Sequence, residues 1–141
     1  MSENRQADVD WQGGVPVARR FDDPYFSLEN GLEETRHVFL AGNGLPKRFA
    51  PGFHIAELGF GTGLNALAAI RAWRDTGQEG RLRLTSFEAF PMAPTDMEQA
   101  LASFPALGDI ACELLDQWAA GLFDVPTRNQ TGLWVKFDAR Y

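Results

Sequence analysis

His54-Ile55-Ala56-Glu57-Leu58-Gly59-Phe60-Gly61-Thr62-Gly63-Leu64-Asn65, continued after a helical stretch by Leu82-Arg83-Leu84-Thr85-Ser86-Phe87-Glu88, is the part of this chain that decides its fold. The run His54 to Leu58 is short and mostly apolar, with Pro51-Gly52 before it and glycines after it, which is how a strand buried in a parallel sheet reads. Glu57 to Gly63 spells E-x-G-x-G-x-G. Glycines there lack Cβ atoms, so the backbone can bend sharply out of the strand and come close to a ligand. From Leu64 to Trp73 the large apolar residues Leu64, Leu67, Ile70 and Trp73 recur every third position with Ala66, Ala68 and Ala69 between them, predicting a helix packed closely on a sheet. Leu82 to Phe87 then alternates apolar and polar residues and runs into Glu88. Strand, turn, helix and strand make a βαβ unit, whose ligand crevice lies at the carboxyl ends of the strands.

The glycine spacing bears on the ligand. Gly59, Gly61 and Gly63 follow at steps of two, whereas the dinucleotide fingerprint G-x-G-x-x-G has a step of three between its second and third glycines. That difference argues against NAD and removes the main reason to expect a pyrophosphate at the helix start. S-adenosylmethionine carries adenosine without phosphate, and its cationic sulfonium and amino groups tolerate an acid such as Glu57 nearby. Glu88, at a predicted strand end, is within reach of a ribose bound across the turn and can accept two hydroxyl hydrogen bonds.

Working outward, residues 1 to about 14 are polar and glycine-ended and are expected to be loose. Val15-Pro16-Val17 and the following Phe21-Asp22-Asp23-Pro24-Tyr25-Phe26 predict a short extended segment that docks aromatics onto the domain. A helix is predicted from about Leu32 to Leu40, with Glu33 and Glu34 in its first turn and Gly42 and Gly44 beyond its end. Thr95-Asp96-Met97-Glu98 has the capping-box form and places a helix start near Asp96. That helix should stop before Pro105, and another through Ile110, Leu114, Leu115 and Trp118 should end near Gly121. Gly132 to Phe137 is the last strand candidate, expected beside the other two and parallel to them. The organisation expected is a polar lead-in over residues 1–20 and a partial cofactor-binding domain over residues 21–141.

Composition sets outer bounds. At 141 residues with 45% hydrophobic residues, the chain suits one domain with a core. A net charge of -6 and a pI near 4.8 argue against a general polyanion-binding surface. A specific RNA substrate is still compatible, because Arg19-Arg20, Lys47-Arg48 and Arg81-Leu82-Arg83 can form local positive patches within an acidic whole. The single cysteine, Cys112, precludes an internal disulfide or a cysteine-based zinc cluster, and a reducing cytosol fits. No metal site is expected. No secretory h-region or membrane-length apolar run is present in the sequence, so a soluble, cytoplasmic protein is expected.

A family resemblance rests on several of these segments together. Asp23-Pro24-Tyr25-Phe26-Ser27, Asn30-Gly31-Leu32-Glu33-Glu34-Thr35-Arg36, Val38-Phe39-Leu40 with Gly42-Asn43-Gly44-Leu45-Pro46, the glycine turn with Leu64-Asn65, and Ser86-Phe87-Glu88-Ala89-Phe90-Pro91 resemble the methyltransferase domain of the MnmC-like family over about residues 21 to 118. The resemblance implies a Rossmann-like class I methyltransferase fold. It also implies methyl transfer from S-adenosylmethionine to the aminomethyl group of 5-aminomethyl-2-thiouridine at the tRNA wobble position, with tRNA as partner. Some members of that family carry a second, FAD-dependent oxidoreductase domain. Carried over by position, Glu57, Gly59, Gly61 and Gly63 form the cofactor turn, Glu88 holds the ribose, and Asp138 resembles the acid near adenine, although Phe137 stands where the family has Gly. Asn43 and Tyr25 match positions near the crevice.

The largest departure from the family pattern is at the end. Members continue into a further strand and a loop like Asp-Gly-Phe-Ala-Pro, which holds the acid proposed to act on the substrate amine, and this sequence has no such loop. The fold is therefore expected to be truncated after the third strand, and no catalytic residue is assigned. An uncovered sheet edge predicts self-association. The alternative to a methyltransferase is a noncatalytic remnant or interaction module that keeps the βαβ scaffold. A nucleotide-dependent oxidoreductase is disfavoured by the glycine spacing.

Overall fold

The computed structural model describes residues 6–27, 30–88, 90–116 and 118, with residues 87, 123–126 and 133–138 described by backbone alone. Its first element is not loose. Strand β1 (Val9–Gln12) turns back through Gly13-Gly14 into β2 (Val15–Ala18), pairing Gln12 with Val15 and Val9 with Ala18. Gly13 and Gly14 have φ of 56° and 82°, the left-handed pair that a tight two-residue hairpin requires. The loose entry expected over residues 1 to about 14 is thus corrected for residues 9–14, because two adjacent glycines supply a turn that the flanking polar residues conceal. Val15 and Val17 are buried, and β3 (Asp23–Pro24) adds a third antiparallel strand through Val17 and Pro24.

Helix α1 (Gly31–Glu34) continues as a wider π-helical stretch over Thr35–Leu40 and a tighter turn over Ala41–Asn43, ending where Gly44 turns left-handed at φ 70°. The Leu32 to Leu40 helix is therefore present, but most of it is over-wide.

The second sheet holds the decisive stretch. Strand β4 (His54–Leu58), helix α2 (Leu64–Asp75) and strand β5 (Leu82–Phe87) form the βαβ unit, with His54 opposite Arg83 and Leu58 opposite Phe87 in parallel register. Helix α3 spans Pro94–Leu101 and starts from Ala93, without a side-chain cap. The Thr95 capping box does not form. Pro94, with its fixed φ and no N–H to satisfy, takes the first helical position, which leaves Thr95 inside the helix. After a turn over Pro105–Leu107, α4 covers Gly108–Leu115, and the expected stop near Gly121 lies outside the described residues.

Two further described strands extend the sheet. Strand β6 (Phe123–Pro126) lies antiparallel to β7 (Leu133–Asp138), which is parallel to β5, giving the order β4-β5-β7-β6. The three expected strands are neighbours and parallel. The fourth, β6, was not legible, because Phe-Asp-Val-Pro is short and its proline marks an edge or a loop. The sheet therefore has four described strands where three were expected.

The architecture is α/β. On one face Ile55, Leu82, Leu84 and Ser86 are buried against a cluster that includes Leu67, Ile70 and Trp73 from α2, Met97 from α3 and Ile110 and Leu114 from α4. Burying a leucine or isoleucine of this kind contributes about 1.5–3 kcal/mol. On the other face His54, Ala56, Leu58 and Arg83 are exposed, Leu58 at 80%. Parallel sheets are ordinarily covered on both faces, so this one-sided burial is unusual.

Candidate functional site

The site forms where the chain leaves β4 for α2. Gly59, Gly61 and Gly63 have φ of 95°, 58° and 86°, all left-handed, so the turn needs residues without a Cβ. Gly63 carries an additional constraint. A Cβ there would stand 3.0 Å from Phe60 Cζ and 3.1 Å from Leu114 Cδ2, whereas nothing lies within 4 Å of one on Gly59. Phe60 is held in place by Trp118, stacked at 5.1 Å, whose indole N–H donates to Met92 O at 2.9 Å. One apolar residue of the turn therefore anchors it to the core, and Gly59 leaves an open face of backbone.

Glu88 is joined to that turn. The Gly61 N–H donates to Glu88 Oε1 at 2.9 Å, and the Phe90 N–H donates to Oε2 at 3.2 Å. Each carboxylate oxygen has a second lone pair and can accept another hydrogen bond. Glu57 lies deeper, 6% exposed, with Oε1 accepting from Ser86 Oγ at 2.8 Å. Its Oε2 is buried without a hydrogen-bond partner among the described residues. Burial pushes the Glu57 carboxyl up to about 7, opposed by the Ser86 hydroxyl and the nearby Asn65 amide and reinforced by the charge of Glu88.

Two cavities open around the turn. One, of about 420 Å³, is bordered by Tyr25, Phe39, Asn43, Thr62 and Asn65 among others. The second, of about 500 Å³, is bordered by Arg20, Phe21, Tyr25, Gly61, Glu88 and Phe90 among others. Arg20 lies over the Phe90 ring at 4.8 Å and the Phe21 ring at 5.8 Å, and those two rings meet edge to face at 6.0 Å. The first sheet thus supplies one wall of the site, and the loop after β5 supplies another.

Of the residues singled out in the sequence, Glu57, Gly59, Gly61 and Gly63 lie along the β4–α2 junction, and Glu88 is hydrogen-bonded to Gly61. Asp138 is the last residue of β7, level with Phe87, and its side chain is outside the described residues. Asn43 and Tyr25 border the cavities. Sequence reasoning missed Arg20, Phe21 and Phe90 as wall residues. Their signal was faint, since only the fold brings residues 20 and 21 to residue 90. Thr62 and Asn65 had a clearer one in their places within and just after the glycine turn.

Fold and site together define an α/β chain with a ligand-sized cleft at the carboxyl ends of parallel strands, floored by a glycine turn and edged by an acid. Its relatives identify the family within that class. The chain is 46% identical over 121 residues to the tRNA 5-methylaminomethyl-2-thiouridine biosynthesis bifunctional protein MnmC of Aeromonas salmonicida, a match covering 79% of this chain and 18% of that protein. It is 47% identical over 121 residues to the protein of that name from Marinobacter nauticus, with 79% of this chain and 19% of that one covered. For the Chromobacterium violaceum protein the figures are 48% over 118 residues, 79% and 18%. The chain is MnmC-like in sequence and spans about a fifth of the length of the curated relatives it matches. No family model matches it. The crystal structure of MNMC2 from Aquifex aeolicus is similar in fold, with a TM-score of 0.59 at 16% identity, covering 93% of this chain and 42% of that one. Among the described residues no helix is long and apolar enough to cross a membrane.

Proposed function

We propose that this chain binds S-adenosylmethionine in the cleft between the glycine turn and Glu88, as the cofactor-binding part of a Rossmann-like class I methyltransferase unit that modifies tRNA. The observation that carries the reading is the Glu88 carboxylate fixed by the Gly61 amide at 2.9 Å, with a lone pair left on each oxygen. The residues fit the cofactor. Glu88 would take the ribose hydroxyls, the open backbone at Gly59 would allow close approach, and the buried Glu57 carboxyl, about half ionised near neutral pH, would lie behind the turn. Glycine spacing disfavours a dinucleotide.

Bound there, the cofactor would supply a methyl group on a positively charged sulfur. The chain's own residues would bind and orient it, on a turn braced by Phe60 stacked on Trp118. The names of the relatives support methylaminomethyl-thiouridine in tRNA as the product context and tRNA as the partner. The exposed outer face of β4 and β5 supports the other reading, an interaction module, since Leu58 at 80% exposure is a residue that a covering partner would bury.

Calorimetric titration tests the reading. S-adenosylmethionine and S-adenosylhomocysteine should bind more tightly than NAD. Binding of NAD alone would support the oxidoreductase, and binding of none of the three would favour the module.

A further inference from the structure

The two cavities beside the glycine turn have two bordering residues in common, Gly59 and Tyr25. A ligand extending through both therefore runs past that glycine and that ring. Tyr25 is fixed in place by neighbouring structure. Its N–H donates to Pro16 O at 2.9 Å, the adjacent Pro24 pairs with Val17 of β2, and its Cδ1 edge stands 3.3 Å from where a Cβ on Gly61 would project. The surrounding charge is negative. Tyr25 shares one cavity with Glu88 and the other with Glu34, and burial together with the charges of Glu88 and Asp96 pushes the phenol up to about 12, so it stays neutral. Arg20 also borders the Glu88 cavity, and its guanidinium lies over the Phe90 and Phe21 rings.

A half-buried aromatic ring at the junction of two cavities, beside carboxylates, suits a cationic centre more than a neutral one. We propose that Tyr25 recognises the sulfonium of the bound cofactor, presenting a ring face to the positive sulfur where the ligand passes from the Glu88 cavity to the Asn43–Asn65 cavity. This rests on the S-adenosylmethionine reading given above. It makes the first sheet, whose last strand leads directly into Tyr25, part of the cofactor site. It also gives the chain a way to distinguish the methyl donor from its demethylated product, S-adenosylhomocysteine, whose sulfur is uncharged.

The test is a pair of binding titrations, with S-adenosylmethionine and with S-adenosylhomocysteine, on the wild-type chain and on Tyr25→Phe and Tyr25→Leu. The wild type should prefer the cationic ligand. Tyr25→Phe should keep that preference, and Tyr25→Leu should reduce it about three- to tenfold while changing affinity for the neutral ligand by less than about twofold. An unchanged preference in Tyr25→Leu, or an equal loss for both ligands, would make Tyr25 a space-filling wall and overturn the proposal. Tyr25→Met serves the same comparison if the leucine variant does not fold, as judged by its unfolding transition. Equal affinity of the wild type for the two ligands also overturns it. Failure of the wild type to bind either ligand sinks the cofactor reading itself and is distinguishable from these outcomes.

Discussion

Replacing Gly63 by alanine should destabilise the chain more than replacing Gly59, although both glycines are left-handed, with φ of 86° and 95°. Forcing an L-residue into that conformation costs about 1–2 kcal/mol at either position. Only Gly63 adds a packing term. Its new methyl would meet Phe60 at 3.0 Å and Leu114 at 3.1 Å, and Phe60 has no room to retreat because Trp118 is stacked on it at 5.1 Å. Overpacking of this kind adds about 1–3 kcal/mol, for a total of about 2–5 kcal/mol. At about 3 °C per kcal/mol for a chain of this size, Gly63→Ala should lower the unfolding midpoint by about 6–15 °C and Gly59→Ala by about 3–6 °C. Thermal melts followed by circular dichroism, run on both variants under one set of conditions, check the difference. Equal shifts would refute the argument that Phe60 and Leu114 close over Gly63.

Three further outcomes are expected. Glu88→Ala should weaken S-adenosylmethionine binding by about 1–3 kcal/mol in calorimetry, through loss of acceptors for the ribose, and unchanged affinity would remove Glu88 from the site. Glu57, at about 7 in the folded chain against an ordinary 4.5, binds protons that the unfolded chain has already released, so stability should fall as pH rises from about 4.5 to 7 and then level off. That raised carboxyl accounts for up to about 3 kcal/mol, and Glu57→Gln should flatten this part of the profile in denaturant titrations, whereas parallel profiles would contradict the assignment. The outer edge of β4 pairs with no other described strand, and the adjoining sheet face exposes Leu58, so sedimentation should show association growing with concentration. A monomer across a wide range would count against it.

The βαβ unit was legible because each of its signals is local. Pro51-Gly52 and the glycine turn bound β4, the Leu64-Leu67-Ile70-Trp73 period marks α2, and Glu88 closes β5. The β1–β2 hairpin was less so, since Gly13-Gly14 lies among polar residues whose partners are fixed by burial of Val15 and Val17 rather than by alternation. At α3 a correct local motif lost to a stronger neighbour: Pro94 sets the helix start one residue before Thr95, and the capping box has no free end to cap. The widening of the helix after Glu34 has no sequence mark that we can identify. For the site, the glycine turn and Glu88 were readable as a strand end and a spacing. The Arg20, Phe21 and Phe90 wall was not, because it joins two sheets far apart in the chain, and the role of Phe60 as anchor needed the position of Trp118.

The most direct test of the central claim is a crystal structure of the chain with S-adenosylhomocysteine. The ribose hydroxyls should lie within hydrogen-bond distance of both Glu88 oxygens, with the Gly61 amide still donating to Oε1 and the thioether beneath Tyr25. Adenosine bound away from the Glu88 carboxylate, or a cleft that stays without ligand at saturating concentration, would contradict the account.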